Sequence, residues 1–245
     1  APPDAEPTDP RAWAQANPSL GYTIELSTLK AAQADDPADV FKTECLCQWV
    51  TSTVTPPFPA DAWDAGRDEK SRIADDSPLW FGIDISSDRT RASIGVCGRR
   101  TDDTWHIELA EYRAGTGWIV KWLMNAAPNY AQGMKVALQS KGAPIASMID
   151  IIAAIEGVEV VECSGKDVAG WCGRMYDAVA SSTETDMDAV PVYHITQPAL
   201  DLAANIAATR PLGDGAWAWD RNKSMEDISP LVAVTMALGS ATQVE

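Results

Sequence analysis

An aspartate inside an apolar strand needs a partner, and Asp84 stands in such a run, Trp80-Phe81-Gly82-Ile83-Asp84-Ile85. Carboxylates are depleted from strand interiors and costly to bury alone, so Asp84 calls for a hydrogen-bond network, a cation or a metal ion. An Asp at a strand end, held by the following Ser86-Ser87 turn, is the structural alternative; the metal reading is preferred. The second carboxylate is Asp227, within SMEDISPLVAVTMALG (224–239), where helical spacing groups it with Leu231, Val234 and Leu238 and directs it inward. Ser224-x-x-Asp227 also has the form of a capping box, and cap and ligand weigh equally there without excluding each other. Two carboxylates suit a hard dication, Mg²⁺ or Mn²⁺, which takes oxygen ligands and completes its shell with water and substrate phosphate. A two-metal phosphodiesterase sets its ions ~3.5–4 Å apart and ordinarily uses three or four carboxylates.

The elements that must carry these residues follow from periodicity. Residues 1–25 read as extended, with prolines at 2, 3, 7, 10 and 18. Asp36-Pro37 opens a predicted helix over 37–50, and Thr51 to Pro59 breaks it. A polar stretch with one short helix runs to Asp76-Ser77-Pro78, where a boundary divides a segment 1–77 from a domain 78–245. Strands are predicted at 80–85, 92–98 and 104–112 with short connections, as in an antiparallel meander. A helix at 117–127, a strand at 134–138, a helix from Pro144 and a strand at 158–162 follow. A helix around 168–179, an extended segment 190–195, a helix from Pro198, a short strand 216–220 and a last helix 224–239 complete the order. This pattern predicts a mixed α/β sheet with helices on both faces.

Composition narrows the function. A formal net charge of −16 argues against a protein that grips nucleic acid through a broadly basic surface, though not against a nuclease whose acids bind cations first. Five cysteines (45, 47, 97, 163, 172) have no C-x-x-C spacing and no zinc-like His pattern, so they read as reduced thiols. No apolar run is long enough to span a membrane, and no signal peptide or ATP-binding P-loop is present. The tryptophans fall on apolar stripes and read as core. His106 reads as a strand-surface residue and His194 as a hydrogen-bonded structural one.

Taken in order, FGIDISSDRTRASIGVCG, a strand-helix-strand ending in Val136-Ala137-Leu138, and DISPLVAVTMALG resemble the nuclease domain of the large terminase subunit of tailed phages. NPSLGYTIELSTL, FKTECLCQWV and FPADAWDA resemble the segment joining that family's ATPase to its nuclease, and PVYHITQPALDLAA the strand and helix before the last acidic segment. The resemblance implies a ribonuclease-H-like fold and an ATPase part preceding residue 1. It also implies metal-holding positions at Asp84, Gln139 and Asp227. Gln139 stands where the family commonly has Asp, and a neutral amide is a poorer ligand for a hard dication. Asp88 is the first candidate to supply the missing charge, although it reads more readily as a surface turn residue. Glu108 and Glu111 rank lower. Lys141 and Arg89 lead the candidates for phosphate contact, with Arg91, Arg99, Arg100 and Lys166 behind them.

The implied activity is Mg²⁺- or Mn²⁺-dependent endonucleolytic cutting of concatemeric double-stranded DNA, with two ions and little sequence preference, during phage genome packaging. Implied partners are the small terminase subunit, the portal and the procapsid, in the host cytoplasm. Two other readings stand beside it: an integrase or junction resolvase of the same superfold, and a docking module whose centre has decayed through Gln139.

Overall fold

Residues 1–2, 5–36, 38–48, 56–183, 188–213 and 215–243 are described by the computed structural model, and the chain divides into two units, Ala1–Thr55 and Pro56–Glu245. In the first, α1 (Pro10–Ala16), α2 (Leu26–Asp35) and α3 (Ala38–Glu44) gather Trp13, Leu29, Phe41 and Leu46 into a small core. The segment expected to be extended is thus partly helical. Asp9 accepts from the Arg11 amide at 2.9 Å and Pro10 opens the first turn, the same start signal that Asp36-Pro37 offered further on. Helix α3 ends six residues before the expected terminus at Val50; Pro37 and residues 49–55 lie outside the described residues.

The second unit begins upstream of the boundary expected after residue 77. Phe58 and Trp63, the latter on α4 (Ala62–Ala65), are buried in its core, and the Trp63 indole donates to Asp201 at 2.9 Å. Two large aromatics sunk in one core bind the 56–77 segment to it.

Six strands form the main sheet: β1 (Trp80–Ile85), β2 (Arg91–Arg99), β3 (Trp105–Ala114), β4 (Met134–Gln139), β5 (Val158–Cys163) and β6 (Val192–Tyr193), in the order β5-β4-β1-β2-β3-β6. The meander β1-β2-β3 is antiparallel, β4 runs parallel to β1 and β5 to β4, and β6 runs parallel to β3. This is the mixed α/β sheet expected. Helices α5 (Ile119–Ala126) and α6 (Ile149–Ala153) cover one face; α7 (Lys166–Ala180), α8 (Pro198–Ile206) and α9 (Ser229–Ala241) cover the other. A hairpin of β7 (Ala208–Pro211) and β8 (Trp217–Asp220) joins α8 to α9; its first strand was not expected.

Alternation sorts the side chains. Phe81, Ile83, Ile85, Ile94 and Val96 enter the α5/α6 core, which leaves Gly82, Asp84, Ser93 and Gly95 on the α9 face. There α9 is buried along its whole length, apolar on every side, and lies directly on the strands. A methyl group on Gly82 would sit 2.0 Å from the Ala233 carbonyl, and one on Gly95 2.7 Å from the Val234 amide. The missing side chains let the helix backbone reach the sheet.

His106, expected at the surface, is buried. The segment ahead of β1 crosses over it, the Ser71 hydroxyl lies 2.7 Å from Nδ1, and Ile73 fills the space above Gly98. His194 is structural as expected, stacked 4.1 Å from the Trp63 ring with Nε2 2.9 Å from the Trp63 carbonyl.

Candidate functional site

Asp84 has no exposed surface, and both of its oxygens are taken by one side chain, Arg221. The guanidinium donates from Nε to Oδ2 at 2.9 Å and from an Nη to Oδ1 at 2.8 Å, a two-pronged charged pair. The same Nη donates to Gln139 Oε1 at 3.2 Å. The β1–β4 register pairs Gly82 with Ala137, so two residues further Asp84 and Gln139 stand side by side at the carboxyl ends of adjacent parallel strands. Gln139 is oriented by its own amide, which donates to the Lys141 carbonyl at 2.8 Å.

Asp227 reaches the same region by a different route. Helix α9 starts at Ser229, not at Ser224 as the capping-box spacing suggested; Ser224 instead donates its hydroxyl to the Asp220 carbonyl and accepts from the Ala208 amide, bracing the hairpin. Pro230 in the first helical turn marks the true start. Asp227, just ahead of it, accepts from the Ser229 amide at 2.8 Å and the Ser229 hydroxyl at 2.9 Å, at the positive end of the helix. Ser229 also bonds Ser93 at 2.8 Å, and Ser93 is the cross-strand partner of Asp84. Tyr112 donates to Asp227 from the β3 side at 3.2 Å.

Tyr112 is there because of a bulge. Gly95 pairs with Leu109 but Ile94 pairs with Glu111, so Ala110 is an extra residue and the alternation of β3 inverts across it. The inversion brings Tyr112 to the α9 face. It also leaves both Glu108 and Glu111 opposite Val96 and Ile94, on the other face, away from Asp84.

The electrostatics follow from this geometry. Burial pushes the Asp84 carboxyl up, Arg221 is the strongest influence pulling it back, and the nearby Asp227 charge adds to the rise. Burial works against the Arg221 charge, yet the Asp84 carboxylate outweighs it and the guanidinium is held more firmly protonated than usual. Tyr112 is raised by burial and by the Asp227 charge, so it stays a donor.

The other candidates lie elsewhere. Asp88 is exposed and closes the β1–β2 turn, accepting from Ser86 Oγ at 2.7 Å, the Thr90 amide at 3.0 Å and Thr90 Oγ1 at 2.9 Å. Those donors, Ser86 first, hold its carboxyl down to about 2. Arg89 reaches the segment after β4, donating to the Pro144 carbonyl at 2.9 Å and Ser147 Oγ at 3.2 Å. Lys141 is exposed beyond Gln139. Arg91, Arg99 and Arg100 lie over the rings of Tyr112, Trp105 and Tyr193; the Lys166 side chain lies outside the described residues.

Arg221 lines an open cleft of about 760 Å³ with Arg210, Lys223, Trp219, Ser87 and the 142–144 loop. A separate cavity of about 480 Å³, beneath Arg72–Asp75 and lined by Phe81, Val96, His106, Glu108 and Trp122, is on the opposite face and is not lined by Asp84, Gln139, Asp227 or Arg221. Sequence reading passed over Arg221, Ser93, Ser229 and Tyr112. The signal for Arg221 was the demand of Asp84 itself for a cation.

The donor set Asp84, Asp227 and Gln139 Oε1 is all oxygen, the chemistry a hard dication takes. A resident guanidinium already occupies two of those three side chains, so the arrangement fits a cation. Among the described residues no group of three or more His, Cys, Asp or Glu side chains is placed to hold a metal ion, so the set is sparse.

No family model and no curated protein matches the chain. Solved structures do. The large terminase of bacteriophage HK97 is 17% identical over 98% of this chain and 56% of that one, with a TM-score of 0.58. The large terminase nuclease of thermophilic phage G20c is 13% identical over 72% of this chain and 94% of that one, with a TM-score of 0.49. The nuclease domain of the bacteriophage SPP1 large terminase, solved with bound Mn, is 10% identical over 71% and 94%, with a TM-score of 0.41. The chain thus spans just over half the length of the HK97 protein, and over that span it has the fold of a phage large terminase.

Proposed function

We propose that this chain is a divalent-metal-dependent DNA endonuclease that cuts double-stranded DNA with little sequence preference during phage genome packaging. The observation that carries the reading is the buried Asp84 carboxylate sharing the Arg221 guanidinium with Gln139 beside a basic cleft, within electrostatic reach of Asp227. The fold shared with the HK97 terminase supports it. Small terminase, portal and procapsid are the partners this reading entails.

Asp84, Asp227 and Gln139 Oε1 would hold Mg²⁺ or Mn²⁺, which when bound supplies an activated water and neutralises charge on the phosphate. The protein supplies the rest. Ser229 and Tyr112 fix the Asp227 carboxylate, and the Lys141 carbonyl turns the Gln139 oxygen toward Asp84 rather than away from it. Arg210, Lys223 and Lys141 offer positive charge to the backbone of the nucleic acid.

Supercoiled plasmid incubated at low salt with the protein and Mn²⁺ tests this. Nicking and linearisation are expected, lost in Asp84→Ala and in Asp227→Asn. Absence of cleavage at any Mn²⁺ concentration would favour a docking module instead, and cutting confined to branched DNA a junction resolvase.

A further inference from the structure

The residue that governs entry to this centre is one that the ligand set does not include. Asp84 is wholly enclosed, while Arg221 has 10% of its side chain exposed and lines the cleft. An ion approaching through the cleft therefore meets the guanidinium before it meets the carboxylate. Asp84 and Asp227 bring two negative charges, Arg221 one positive and a dication two, and Gln139 adds nothing. With Arg221 in place the dication would leave the centre one charge too positive; with Arg221 withdrawn, the charges cancel. The ion and the guanidinium compete for the same oxygens.

Arg221 has somewhere to go. It sits on the turn after β8, where the Asp220 carboxylate accepts from the Asn222 and Lys223 amides at 3.0 and 3.2 Å, which engages the one acid on the cleft wall among the described residues. Arg210 and Lys223 face the same space, so it suits a chain of phosphates. A guanidinium forks two oxygens of a phosphate as readily as those of a carboxylate.

Resting on the nuclease reading above, we propose that Arg221 is a substrate-operated plug. It holds Asp84 until a DNA phosphate in the cleft draws it off, so that the divalent ion gains Asp84 only when DNA is in place. By linkage, the ion raises DNA affinity by the same factor as DNA raises ion affinity.

Calorimetric titration of Mn²⁺ into the full chain, with and without a cleavage-resistant phosphorothioate duplex, tests the plug. For the wild type, Mn²⁺ is expected to bind about tenfold tighter with the duplex, since only the open fraction takes the ion. Arg221→Gln is expected to bind Mn²⁺ with that higher affinity unaided and to gain little from the duplex. Arg221→Lys, which keeps the charge but loses the fork, is expected to fall between, and answers the question if the glutamine variant does not fold. Equal Mn²⁺ affinity in the wild type and the variants without DNA would overturn the plug while leaving the nuclease reading intact. So would an equal gain from the duplex in all of them. No Mn²⁺ binding by any form, an Asp84→Asn control included, would remove the metal centre and the plug with it.

Discussion

Asp84 and Asp88 belong to the same short stretch of chain and meet opposite fates. Asp84 points into the molecule and takes a guanidinium; Asp88 points out and folds its own turn. Asp88 is held down to about 2 by Ser86 and Thr90, below the ~3.9 of an unfolded aspartate. Because the folded value is the lower one, its contribution to stability is present above about pH 4 and is lost as pH falls toward 2. A carbon-detected NMR titration should place the Asp88 midpoint near 2, and Thr90→Val should move it up. Asp88→Asn should leave Mn²⁺ affinity unchanged; a loss would make Asp88 a ligand after all. The need of Asp84 for a cation was legible from one strand of sequence. Its partner was not, because Arg221 lies 137 residues away and only the tertiary fold brings it in.

At the scale of elements, glycine decides how near α9 comes to the sheet. Gly82→Ala should cost ~3 kcal/mol or more, since the added methyl meets helix backbone, which cannot turn aside. Gly170 and Gly173, inside α7, should behave oppositely, because a methyl group added at either would meet nothing within 4 Å. Alanine at either should stabilise by ~0.5–1 kcal/mol, and urea denaturation of the three variants reads both signs. Most strands and helices were visible in the sequence because alternation and helical spacing act locally. In the second unit three features were not: the start of α9, where a false capping box competed with Ser229-Pro230; the Ala110 bulge, which no local pattern marks; and β7, whose four residues carry no alternation of apolar and polar types; in the first unit α1 and α2 were missed.

For the whole molecule, a net charge of −16 and the proposed DNA substrate are reconciled only locally. The cleft beside the acids has Arg210, Arg221 and Lys223 on its wall, and Asp220 there is engaged by turn amides. Three cysteines, 97, 163 and 172, are buried, and burial pushes Cys163 up to about 12 and Cys172 to about 11, so they pack as small apolar groups. No disulfide joins any of the five cysteines, and among the described residues no helix is long and apolar enough to cross a membrane. Overall charge was legible from the first count, but its distribution depended on which loops the fold brings together. The central claim is that Asp84 and Asp227 share one divalent ion. Anomalous diffraction from a Mn²⁺-soaked crystal of the full chain measures this directly. A manganese peak bridging the two carboxylates, with Arg221 turned into the cleft, is the expected result; Arg221 still forked onto Asp84, with no peak at any soak concentration, would contradict it.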